Sequence, residues 1–423
     1  MMFIADLHIH SKYSRATSKD MEVTTLYKWA QWKGIKVLGT GDFTHPYYLA
    51  ELKKNLEPLG NGLFKLKNAT DATPLEGRKV YFMLTTEVSN IFSAQGKGRR
   101  IHTLILAPSF EVVDKINKQL SRRGDLLADG RPTFGFNLKE LVKMVLDVCS
   151  DCLLVPAHVW TPWYGLLGAN GGFDSIEEAF ENETENIYAI ETGLSSDIAM
   201  NWRLSALDKI SLISNSDAHS PHKIGREANV FTCECDYYEI IDTLRKKDRD
   251  RFLCTIEFYP QEGKYHYDGH RKCNVSFSPQ QTKEHNYLCP VCKQRLTVGV
   301  MHRVETLADR PQDFRPPNAI PEIHLIPLEE IIAEAVDRQV GTKTVREEYE
   351  RLVKHAPEFE ILLKLPSDEL AHFVPPKILE GIMRVREGNI LITPGFDGVY
   401  GQIKIFPEGK KTKKGSSKQA GLF

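Results

Sequence analysis

The chain has no excess charge of either sign. Its 423 residues carry 55 Lys+Arg against 56 Asp+Glu. A neutral total leaves room for a local basic cleft, so it excludes no partner. No apolar run approaches the ~18 residues of a membrane span, which argues against a transmembrane helix. The opening MMFIADLHIHSKYS lacks a basic stretch and a small-residue cleavage site, so a signal peptide is not expected and a cytoplasmic protein is. Cysteine is scarce: eight residues are too few for a disulfide scaffold, and paired cysteines in a reducing compartment more often bind metal. The composition, 41% hydrophobic and 26% charged, is that of a globular protein long enough for more than one domain.

Residues 1–250 read as alternating short strands and helices. Apolar runs at Phe3-Ile4, Val37-Leu38, Val80–Leu84, His102–Leu106, Leu153–Val155, Tyr188–Ile190 and Ser211–Ile213 alternate with helix-like stretches at Thr24–Lys33, Val112–Leu120, Leu138–Asp147 and Asp197–Leu207. This order predicts an α/β fold with a parallel sheet, and polar residues cluster just after the strands, where such folds place their chemistry. Residues 251–305 lose periodicity and mix Gly, Lys, Tyr, His and Cys, as expected of a small irregular module. Residues 306–406 return to helix after the Pro-rich RPPNAIPE. Leu328, Ile331, Ile332, Ala335 and Val336 follow helical spacing with Gly341 as a stop, Thr344–Glu347 forms a capping-box pattern, and a helix is expected near Pro376–Val385. A hairpin is expected around Gly395–Gly398, and residues 407–423 form a basic, linker-like tail.

The residues that carry chemistry recur at the strand positions. His8-Ile9-His10 puts both imidazoles on one side of an extended chain. Glu87 follows VYFMLTT, His102 opens HTLILA, His158 follows LLVPA, and Asp217 and His219 follow SLISNS. One histidine at a strand end is usually structural. A series of strand ends offering His, Glu or Asp is harder to explain that way, and the mixture suits Zn²⁺, Mn²⁺ or Mg²⁺. Two such ions would activate water for in-line displacement at phosphorus. A second set, His270-x2-Cys273 followed by Cys289-x2-Cys292, has the spacing of a structural zinc site, with His266 as an alternative ligand. Cys149-x2-Cys152 lacks a partner pair and reads as core. Aromatics crowd His158 in HVWTPWYG: Trp160, Trp163 or Tyr164 could stack on a nucleotide, and Asn170 could reach a base edge. Arg99, Arg100, Arg122, Arg123 and Arg131 are candidates to line a nucleic-acid channel.

The ordered set His-x-His, Glu, His, His, Asp-x-His resembles the polymerase-and-histidinol-phosphatase (PHP) superfamily. That resemblance implies a distorted (β/α)7 barrel with a two- or three-metal phosphoesterase site over about residues 1–235. It implies that His8, His10, Glu87 and Asp217 hold one ion, Glu87, His102 and His158 the second, and His219 belongs to a third. The sequence departs from that pattern in Gly41-Asp42-Phe43-Thr44-His45, where Phe43 replaces the expected histidine, and at Ser14-Arg15-Ala16, where an early ligand is missing. Asp42 is retained, with His45 and Asp20 as candidate replacements.

Across its whole length the chain is similar to the endonuclease Q family of DNA-repair nucleases. The segments that carry this are ADLHIHSKYSRATSKDM, RRGDLLADGRPTFG, HVWTPWYG, SDAHSPHKIGREAN, YHYDGHRKC with CPVC, and ITPGFDGVYG. The resemblance implies incision of DNA 5′ to deaminated bases (hypoxanthine, uracil, xanthine) or abasic sites, leaving 3′-hydroxyl and 5′-phosphate ends. In the tail, Gln419, Leu422 and Phe423 resemble the start of a sliding-clamp (PCNA) binding peptide. The competing expectations are a PHP-type small-molecule phosphatase and a non-catalytic DNA-binding clamp adaptor.

Overall fold

The computed structural model describes residues 2–68 and 78–406. The expected clamp-binding residues Gln419, Leu422 and Phe423 lie outside the described residues. The strands that build the main sheet are β1 (Phe3–Asp6), β2 (Val37–Gly39), β3 (Tyr81–Ala94), β4 (Lys97–Ala107) and β5 (Leu153–Pro156). They are followed by β6 (Ala189–Glu191), β7 (Ser211–Ile213), β8 (Ala228–Phe231), β9 (Phe252–Glu257) and β10 (Glu322–His324). The hydrogen-bonded order runs β10-β9-β8-β1-β2-β3-β4-β5, with β6 and β7 paired to each other. Ser214, just after β7, is tied to β8 by the Asn229 side chain, which accepts from the Ser214 amide and donates to its carbonyl. The amide of Val159, just past β5, donates to the carbonyl of Glu191 in β6. Side-chain and loop bonds thus join the two sheets where ladder bonds do not.

The class is α/β with a large central sheet, as expected, but the sheet is mixed. β1-β2-β3 and β6-β7 are parallel, whereas β3-β4, β4-β5 and β8-β1 are antiparallel. Strands β3 and β4 form one long hairpin, so Glu87 and His102 lie inside strands rather than at their ends. Ser89 pairs with His102, and Glu87 is two residues before Ser89, so both ligands share one face.

Apolar alternation divides the core in two. Phe3, Ala5 and Leu7 join Val37, Met83, Leu104, Val155 and Ile213 in an inner cluster, capped by Tyr237, Ile240 and Leu244 of helix Tyr237–Lys246. Ile4 and Leu38 join the outer cluster, which continues into Leu328, Ile331, Tyr349, Phe359 and Ile382 of the C-terminal helices. The sheet also runs past residue 250, because β9 and β10 extend it. Residues 306–406 therefore share a core with the sheet.

Local expectations there fare unevenly. Helices Lys343–Val353 and Pro376–Arg386 form, and Leu391–Thr393 pairs with Gln402–Lys404 as a hairpin. The capping box does not form: Thr342 precedes the helix, which places Thr344 inside its first turn. The helix from Leu328 ends at Ala335, short of Gly341. Asp197–Leu207 breaks into the short turns Ile198–Asn201 and Ser205–Leu207.

A buried ion pair anchors the C-terminal helices. Lys33 Nζ lies 2.7 Å from Glu358 Oε2, with both side chains 3% exposed. Glu358 also accepts from the Leu328 amide and the Tyr349 hydroxyl. Removing one partner of a buried pair strands the other charge, so Glu358→Ala is expected to cost about 3–5 kcal/mol in denaturant unfolding. A loss under about 1 kcal/mol would mean that Lys33 finds water or another partner.

Candidate metal centre

His8 and His10 leave β1 side by side, their ring centroids 5.4 Å apart. His10 Nε2 lies 3.2 Å from Glu87 Oε2 and 3.1 Å from Asp217 Oδ1, and His8 Nε2 lies 3.7 and 3.8 Å from the same two carboxylate oxygens. On the other carboxylate oxygen, Glu87 Oε1 lies 2.8 Å from His102 Nδ1 and 3.0 Å from His158 Nε2. Glu87 thus stands between two ligand groups, His8-His10-Asp217 and His102-His158, each compact enough for one ion.

The donor set fits metal. His8 Nε2, His10 Nε2 and Asp217 Oδ1 are buried and make no hydrogen bond, an arrangement that would be costly unless a cation completes it. The opposite ring nitrogens are held in place. Glu191 accepts from His8 Nδ1 at 3.0 Å and from the His158 amide at 2.9 Å, and Asn215 in turn donates to Glu191. Asp42 takes His10 Nδ1 at 3.0 Å and is itself held by the Ser11 amide and the Ser11 and Ser14 hydroxyls. Such carboxylate–histidine pairs fix the tautomer and orient the free nitrogen.

Electrostatics follow the charge pattern. Burial alone would raise Glu87, but His102, Arg131 and His8 hold it well below the usual carboxylate range. His8 and His10 are raised despite burial, by Glu191 and Glu87 in one case and Asp42 in the other. Burial takes His102 down to about 4, against the pull of Glu87. Asp42, His158 and Asp217 all have positive φ, a conformation that costs a non-glycine residue energy and that the surrounding structure here holds in place. Gly193 has no such freedom to change, because a Cβ there would lie 2.4 Å from His158 Cβ.

The other expected residues divide. His219 lies tilted against His10, ring centroids 4.5 Å apart, and its Nδ1 bonds the Asp217 carbonyl, beside the cluster but outside both compact groups. Asp42 supports His10 from the far side of the ring, which gives it an orienting position. Among the described residues neither His45, stacked on Tyr13, nor exposed Asp20 joins a ligand group. Of the five arginines, Arg131 reaches the centre, donating to Glu87 Oε2 at 3.0 Å. Arg99 is buried against Phe173 and bonds the Gly172 carbonyl, and Arg122 and Arg123 border a separate cleft with Glu140 and Lys143.

A cavity of about 630 Å³ opens beside the ligands, lined in part by His102, His158, Asp217, Arg131, Trp163 and Tyr164. Tyr164 lies against His102 at 4.5 Å. Trp160 is placed otherwise than expected: it is 1% exposed and donates its indole N–H to Asn201, so it is a core residue. Asn170 borders a neighbouring cavity of about 430 Å³ with Trp163 and Tyr265. The residue missed by sequence reading is Glu191. Its signal was the apolar run Tyr188–Ile190 ending in a carboxylate.

The second expected cluster also assembles. His270, Cys273, Cys289 and Cys292 bring four ligand atoms within 4.8 Å of one another. Burial would raise the Cys289 thiol, but the Cys292 and Val291 amides and His270 bring it down to about 6, favouring the thiolate that ligates. His266 is not part of this group, and Cys152 is buried as core. No helix among the described residues is long and apolar enough to cross a membrane.

A family model, the MJ0043 C-terminal domain, matches residues 327–389. The uncharacterized protein MJ0043 of Methanocaldococcus jannaschii is 34% identical over 262 residues, 59% of this chain but only 32% of that protein's length. The uncharacterized protein YqxK of Bacillus subtilis is 29% identical over 413 residues, 95% of this chain and 98% of that one. Among solved structures, the lesion-specific endonuclease PfuEndoQ from Pyrococcus furiosus superposes with a TM-score of 0.83 at 30% identity, covering 96% of both chains. An Endonuclease Q complex with a 27-mer duplex carrying an abasic lesion at the active site gives 0.81 at 30% identity, covering 96% of this chain and 97% of that one. Fold, coverage and identity together place the chain in the endonuclease Q family.

Proposed function

We propose that the chain is a metal-dependent DNA-repair endonuclease that cuts 5′ to a deaminated base or an abasic site, leaving 3′-hydroxyl and 5′-phosphate ends. The observation that carries the reading is the placement of Glu87 between two ligand groups, of which His102, His158 and Asp217 line a cavity with an exposed tryptophan. The abasic duplex bound by the solved Endonuclease Q supports the same substrate class. His8, His10 and Asp217 would hold one divalent ion and His102 and His158 another, with Glu87 shared. When bound, such ions supply a nucleophilic water at neutral pH and neutralise charge developing on the phosphoryl oxygens. Glu191 and Asp42 orient the histidines, and Arg131 holds a fixed positive charge beside Glu87, where a phosphate can approach. Trp163 and Tyr164 offer aromatic faces to a nucleotide leaving the stack. The four-ligand Cys3His set takes a structural zinc. Gln419, Leu422 and Phe423 are the proposed clamp-binding residues, on sequence alone.

The test is incision of a 5′-labelled duplex carrying one deoxyinosine, scanned over Mg²⁺, Mn²⁺ and Zn²⁺, beside undamaged duplex and p-nitrophenyl phosphate. A single cut immediately 5′ to inosine is expected. Hydrolysis of the phosphomonoester without any cut would move the reading to a small-molecule phosphatase. Tight lesion binding with neither reaction would leave the clamp adaptor. Glu191→Gln keeps the shape of the side chain but weakens its hold on His8, so a 10- to 100-fold drop in metal affinity or incision rate is expected. Metal titration of the incision rate would read it, and an unchanged titration would remove Glu191 from the supporting set.

A further inference from the structure

Asp197, Glu322 and His324 form a compact group that no part of the proposed reaction uses. Their ligand atoms lie within 4.8 Å of one another, with His324 Nε2 3.6 Å from Asp197 Oδ2. That separation is long for a hydrogen bond and close to the spacing of two ligands on one ion with bonds of about 2.0–2.2 Å. Glu322 and His324 are two residues apart on β10 and so share a face. Asp197 caps the turn Ile198–Asn201, and one Glu322 oxygen accepts from the Ile198 amide at 2.6 Å. Both carboxylates are thereby held in position.

The second observation is His266. It is 4% exposed, its Nδ1 is buried without a hydrogen-bond partner, and it lies within electrostatic reach of Asp197. Sequence reading nominated His266 as a metal ligand, and it stands outside both the Cys3His cluster and the compact Asp197 group. Further buried carboxylates lie close by. Glu257, paired with His324 across β9 and β10, is fully buried, and Glu227 beyond it is buried with neither carboxylate oxygen hydrogen-bonded. A dication would offset these carboxylates more fully than His324 alone.

We propose that Asp197, Glu322 and His324 bind one divalent transition-metal ion at a site separate from the Glu87 centre, with His266 outside the compact group. The mixed imidazole–carboxylate set is of the type such ions take. Its place gives it a purpose. Gly193, Leu194 and Ser195 line the main cavity and lead directly into Asp197, so an ion here ties the edge strand β10 to the cavity wall.

The full chain would be dialysed against Zn²⁺ alone, then metal-free buffer, and its metal counted by mass spectrometry. Glu322→Gln, which can still accept from the Ile198 amide, and His324→Gln would be treated alike. Each folded variant is expected to hold one equivalent fewer than the wild type. An unchanged count in folded variants would overturn the site and leave an ion pair. If the variants do not fold, anomalous scattering at the zinc edge from wild-type crystals decides. A peak about 2 Å from His324 Nε2 supports the site. No peak there, with the Cys3His cluster occupied, refutes it.

Discussion

Glu87→Gln is expected to lower incision of a deoxyinosine duplex by more than about 10³-fold while leaving the chain folded. The size follows from where Glu87 sits. Its two oxygens face different ligand groups, so one substitution weakens both proposed ion sites together. Metal stabilisation of phosphoryl transfer is worth several kcal/mol, and each ~1.4 kcal/mol is tenfold in rate. Glutamine can still accept from Arg131 but lacks the charge that opposes His8, His10 and His102. Single-turnover incision at saturating metal would measure the loss, with a thermal melt as the folding control. A loss under tenfold in a folded variant would show that Glu87 bridges nothing essential. Asp217→Asn would then be the more informative probe, since Asp217 belongs to the His8-His10 group alone.

The ligands were readable because their signals are local. His8 and His10 are two residues apart, His270 and Cys273 three apart, Cys289 and Cys292 three apart, and Glu87, His102, His158 and Asp217 each stand near an apolar run. The pairings that orient them were not. Glu191 meets His8 across 183 residues of chain, and Arg131 meets Glu87 across 44. No periodicity encodes such pairings, which exist only once the sheet brings distant strands together. The same limit explains the strand-end reading of Glu87 and His102. Residues 81–107 contain a hairpin turn at Gln95-Gly96, both with positive φ, yet the apolar runs on either side were read as two short parallel strands. The expected boundary at residue 250 met the same difficulty: β9 and β10 are short, and their partners lie elsewhere in the chain.

Trp160 and Trp163 turn this limit into a test. They stand three residues apart in one loop beside His158, and sequence alone gives both the same prospect of stacking on a base. The structure separates them. Trp160 is 1% exposed and bonded to Asn201, 41 residues away, whereas Trp163 is 43% exposed and faces both cavities beside the ligands. Trp160→Ala should therefore act through stability, costing about 3–5 kcal/mol as a large buried aromatic lost from the core. Trp163→Ala should leave unfolding nearly unchanged. If it stacks on the displaced nucleotide, it forfeits about 1–3 kcal/mol of base contact, or roughly 5- to 150-fold in lesion-specific incision. Denaturant unfolding and incision kinetics on both variants separate the two effects. The expected pattern is a crossed one, with stability lost in the first and lesion recognition in the second. A Trp163→Ala variant that unfolds early, or cuts the lesion duplex at the wild-type rate, would remove the exposed indole from recognition and leave Tyr164, packed on His102, as the aromatic nearest the ligands.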